Sequence, residues 1–124
     1  MNIEQFTKAY NESRNGCNHF VRHPYVSKFQ YTDGVQDCAK AGCFWMVDIA
    51  ATEIPTAMRK KEEQMVVLTI KVTQNGKGRL TATGSGESKV WSKILDFTDL
   101  PEGKWVFYIA DEGERFAMIL PTEY

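Results

Sequence analysis

Past Cys43 this chain has neither a cysteine nor a histidine, because all three cysteines and both histidines of its 124 residues fall in the first third. The rest of the chain therefore cannot supply the imidazole of a Ser–His–Asp or Cys–His arrangement, nor the soft ligands of a metal site. Long hydrophobic runs are missing as well: nothing approaches the ~20 residues of a membrane-spanning helix. The start, Met1-Asn2-Ile3-Glu4-Gln5, lacks the basic and apolar segments of a signal peptide. No membrane partner is expected, and the expected compartment is the cytoplasm, where thiols stay reduced. A charge excess of either sign is absent too, since 15 basic and 16 acidic residues leave a net −1. That balance argues against nucleic-acid binding by bulk electrostatics and against imitation of DNA by a polyanionic surface. The densest basic run, Arg59-Lys60-Lys61, is followed at once by Glu62-Glu63 and reads as a solvated linker or helix end. Repeats and low-complexity tracts are lacking, and the length suits one domain with a core of its own.

What is present is concentrated in Cys17, His19, His23, Cys38 and Cys43, spaced as C-x-H-x3-H, then fourteen residues, then C-x4-C. Thiolate and imidazole are the ligands Zn²⁺ prefers, and a closed structural site takes four of them in a tetrahedron. Two short chelating pairs separated by a loop follow the general layout of a zinc module. Cys17, Cys38 and Cys43 with either His23 or His19 would make the four. Set against this, three cysteines cannot all pair, a free cysteine often behaves as a small buried hydrophobe, and a single histidine is commonly structural.

Residues 3–13 place Ile3, Phe6 and Tyr10 at helical spacing, and Asn15-Gly16 stops that helix. His23-Pro24 disfavours helix, and Phe29/Tyr31 alternate as in a short strand. Thr32 can cap a helix running to Cys38, Ala41-Gly42 breaks it, and a second stretch runs from Cys43 to about Thr52, ended by Ile54-Pro55. From Met65 the period changes to two. Strands are expected at 65–73, around Leu80 and Ala82, at 90–97, at 104–110 and at 116–120, with Gln74-Asn75-Gly76-Lys77 as a type I′ hairpin. The expected class is α+β. The N-terminal helices and zinc-bound loop (1–55) pack on a four- to five-stranded antiparallel β-meander (64–121) within a single domain.

Catalytic machinery is thin. The His-x-Glu and Pro-Cys-x-x-Cys signature of a zinc deaminase is not matched by Cys38-x4-Cys43. Gly84-Ser85-Gly86 lacks the lysine of a phosphate loop and reads as a turn. The chain is not expected to be an enzyme. Trp45, Trp91, Trp105, Phe107 and Tyr108 divide between a core role and anchors for a protein partner.

Arg22-His23-Pro24, Tyr31-Thr32-Asp33-Gly34-Val35, Ala39-Lys40-Ala41-Gly42-Cys43-Phe44-Trp45 with Asp48-Ile49-Ala50, Asp96-Phe97-Thr98-Asp99-Leu100-Pro101 and the closing Leu120-Pro121-Thr122-Glu123-Tyr124 carry a resemblance across residues 20–124. The chain resembles a family of small proteins, without assigned activity, encoded mainly by phages, plasmids and other mobile elements. In that family the positions of Cys17, Cys38 and Cys43 are typically apolar or small. Zinc would then be a feature of this chain, and His23 a structural residue with His19 as the fourth ligand. What the resemblance implies is a binding protein of the anti-CRISPR kind. It would be a zinc-stabilised inhibitor that docks on a host defence protein, such as a CRISPR-Cas nuclease (Cas9 for example), and blocks its activity or DNA loading. The alternatives are a nucleic-acid-binding accessory protein with a structural zinc module, or a zinc-dependent hydrolase.

Overall fold

A computed structural model describes residues 1–12 and 19–123. Helix α1 (Ile3–Glu12) begins at Asn2, whose Oδ1 accepts from the Gln5 N–H at 2.9 Å, the usual service of an Asn cap. The expected stop at Asn15-Gly16 lies outside the described residues. Strands β1 (Phe20–Arg22) and β2 (Phe29–Thr32) form an antiparallel pair. Thr32 then caps α2 (Asp33–Lys40), its Oγ1 accepting from Val35 N–H at 3.2 Å, as the sequence indicates.

Helix α3 (Phe44–Lys60) corrects the expected stop at Ile54-Pro55, since Pro55 lies inside it. A proline deprives one carbonyl of its partner and disfavours the interior of a helix. Tertiary burial outweighs that cost: Met46, Val47, Ala50, Ala51, Ile54 and Met58 form one buried stripe that continues past the proline. The basic run accordingly closes a helix. None of the described helices is long and apolar enough to cross a membrane.

The five strands expected from period-two alternation are present as β3 (Met65–Val72), β4 (Gly78–Thr83), β5 (Lys89–Leu95), β6 (Gly103–Asp111) and β7 (Phe116–Ile119). They do not form a four- to five-stranded meander. The sheet has seven strands in the order β1-β2-β7-β6-β3-β4-β5, and β2 joins β7 in parallel. The chain leaves β5 at one edge and returns past β4 and β3 to place β6 beside β3. The class is thus α+β, with a larger and mixed sheet.

Val66, Leu68, Ile70, Leu80, Ala82, Phe107 and Ile109 point to one face and are buried with Phe6, Val35, Met46 and Ile54 of the helices in a continuous core. Phe6 and Tyr10 each meet the Trp105 ring edge-on at 5.0 Å, and the Tyr10 hydroxyl accepts from Val106 N–H at 3.1 Å. The helices therefore cover that face, and the alternate residues of β3, β4 and β6 form the other.

Candidate functional site

The candidate zinc ligands among the described residues are placed as follows. Cys17 lies outside the described residues. His19 is 81 % exposed, with Nδ1 at 3.6 Å from Asp33 Oδ2. His23 is buried and both its nitrogens are engaged: Nδ1 accepts from the N–H groups of Tyr25 and Val26, each at 3.1 Å, and Nε2–H donates to Asp48 Oδ1 at 2.7 Å. No lone pair remains for a metal, and the ring instead holds the turn between β1 and β2. The Asp48 carboxylate also helps raise the Tyr31 hydroxyl pKa above its usual value, after burial as the main cause.

Cys38 and Cys43 are brought together, the Cys43 thiol donating to the Cys38 carbonyl at 3.2 Å, and both are fully buried in the core. Burial is the main cause that pushes the Cys43 thiol up to about 12, with Asp99 adding to it. The Cys38 thiol is raised as well, first by burial and then by Cys43. A metal-ligating sulfur is a thiolate, and burial favours the protonated form of both thiols. Among the described residues no three His, Cys, Asp or Glu side chains gather around a common point.

A different cluster is built by register alone. On the face away from the helices, Lys71 of β3 stands opposite Lys104 of β6 on one side and Arg79 of β4 on the other. Cross-strand neighbours of this kind have Cβ atoms about 5 Å apart. All three side chains are exposed, and none makes an ion pair among the described residues. Like charges directly opposite one another destabilise a sheet, so the row is a cost the fold carries. It borders a groove of ≈ 440 Å³ that also takes in Thr69, Thr81 and Lys89, with Glu87 as its carboxylate. The groove offers positive charge and N–H and O–H donors, a chemistry of anion binding.

Sequence reasoning missed these residues because they lie far apart along the chain and the net charge hides them. The signal was there in the alternation: Lys71, Arg79 and Lys104 all occupy solvent-side positions of their strands. A second exposed feature sits at the β5 edge. Ile94 and Phe97 are 65 % and 74 % exposed, and Phe97 lines an apolar cleft of ≈ 350 Å³ with Trp45 and Leu95.

The model of a family of unknown function (DUF6876) matches residues 5–124 of the chain. No curated protein and no solved structure matches it.

Proposed function

The chain belongs to this family of unknown function, which hands down no activity, and on that premise we propose that it works by binding an anionic macromolecule on its open sheet face. The observation that carries the reading is the in-register row Lys104–Lys71–Arg79, exposed and without a carboxylate partner among the described residues. Such a row concentrates positive potential on one surface of a molecule whose net charge is −1. The test is retention on immobilised heparin at low salt. The wild-type chain is expected to be retained, and the variant Lys71→Gln/Arg79→Gln/Lys104→Gln to elute with the void. Equal elution of the two sinks the reading.

The second reading is the inhibitor of a host defence protein, encoded on a mobile element, that the sequence resemblance implies. One observation favours it: the exposed Phe97 lining the cleft with Trp45 and Leu95, since aromatic anchors near desolvated pockets dominate protein–protein affinity. Cleavage by a CRISPR-Cas nuclease should then be suppressed by the wild-type chain and restored with Phe97→Asp. A nuclease indifferent to the wild-type chain removes this reading.

A further inference from the structure

Resting on the anion-binding reading above, we infer that the ligand of the open face is single-stranded nucleic acid, laid across β6, β3 and β4 with its phosphates on Lys104, Lys71 and Arg79. The argument comes from the order of chemistry along the strands. Two residues beyond the cationic row, about 7 Å at strand rise, the same face carries Val106, Thr69 and Thr81. A further step of about 7 Å brings Tyr108, Val67 and Thr83 into register, all half-buried. Along β6 and β3 the face therefore passes from the cationic row through Val106 and Thr69 to Tyr108 and Val67, while on the β4 side Thr81 and Thr83 add hydroxyls and Lys89 stands opposite Thr83. A nucleotide presents phosphate, sugar and base in that same order.

A single strand can use both ends of this gradient, since its phosphates seek cations and its free bases stack on aromatic and apolar side chains. A duplex hides the base faces and could use only the charged end. An acidic protein segment has carboxylates for the row but no flat π-face for the Tyr108 end. The near-neutral total does not oppose this: among the groove residues only Glu87 is acidic, against Lys71, Arg79, Lys89 and Lys104.

Fluorescence anisotropy of the full chain with a labelled twelve-nucleotide single strand tests the inference, beside the matching duplex, heparin and polyglutamate. The expected result is binding to the single strand at least tenfold tighter than to the duplex. Its salt slope should be near −2, from three phosphate contacts at about −0.7 each. Lys71→Gln/Arg79→Gln/Lys104→Gln should weaken it more than tenfold. Tyr108→Leu should weaken the oligonucleotide about fivefold or more, the loss of a stacked base, and leave heparin unchanged. Lys60→Gln/Lys61→Gln, on the basic run at the end of α3, should change nothing. Melting curves confirm that each variant is folded.

Binding of heparin or polyglutamate without the single strand, or equal binding of the duplex, overturns this inference and leaves the anion-binding reading standing. Binding of no polyanion at all overturns both. Equal loss from the Lys60/Lys61 control overturns the assignment to the sheet face.

Discussion

Single residues here hold positions that their side chains do not favour. Helix α3 ends in a Schellman motif: Glu62 N–H donates to the Arg59 carbonyl at 3.2 Å and Glu63 N–H to the Met58 carbonyl at 2.9 Å. The residue between the two turns, Glu62, has φ +57, where glycine is the common choice because a Cβ crowds the following carbonyl. Glu62→Gly should therefore stabilise the protein by about 0.5–1 kcal/mol, or about 2–4 °C in Tm by calorimetry. A fall in Tm would mean that the Glu62 side chain makes a compensating contact. With no glycine at this cap, the basic run Arg59-Lys60-Lys61 is the one mark of the helix end, and it reads equally as a linker, while Pro55 marks a false end.

Elements were legible wherever one face is buried and the other wet. The strands β3 to β7 follow from period two, and Thr32 and Ala41-Gly42 mark helix limits. The Asn75-Gly76 hairpin forms, but Gly76 alone takes a positive φ, +80, with its N–H on the Thr73 carbonyl and Thr73 N–H on the Lys77 carbonyl, so the loop is longer than type I′. Pairing between distant strands was not legible: β2 with β7 in parallel uses no turn, and the return from β5 to β6 leaves no mark in the connecting loop. The turn between β4 and β5 depends on another distant contact. Glu63 accepts from Ser85 N–H and Oγ–H and from Ser88 Oγ–H, and a Cβ on Gly84 would lie 2.3 Å from its Cδ. Gly84→Ala should displace that carboxylate and cost about 1–2 kcal/mol in urea unfolding. In a Glu63→Ala background the cost should vanish, and a double-mutant cycle without coupling would refute the clamp.

At the scale of the whole molecule, what Cys38, Cys43 and His23 do is decided by burial. The pattern C-x-H-x3-H with C-x4-C suggested zinc because spacing along the chain carries no information about which nitrogen is already bonded or which sulfur is in the core. Folded Cys38 and Cys43 hold their protons well above the unfolded thiol, which ionises at about 8.5. Below that pH both states are protonated and the burial of the thiols is without penalty. Above it the unfolded chain releases protons that the folded chain keeps, so stability falls by about 1.4 kcal/mol per pH unit and thiol. The fall continues up to about 12 for Cys43. In a Cys17→Ser background, urea unfolding at pH 10 should give up to about 4 kcal/mol less stability than at pH 8 from the two thiols together. Cys38→Ala/Cys43→Ala should lose that part of the slope. Chelation at neutral pH should leave the Tm of the wild-type chain unchanged, since no described thiolate is available to a metal. A Tm lowered by chelator, with the alkaline slope unchanged by the double substitution, would instead place these sulfurs on an ion and restore zinc as the clamp of the N-terminal third.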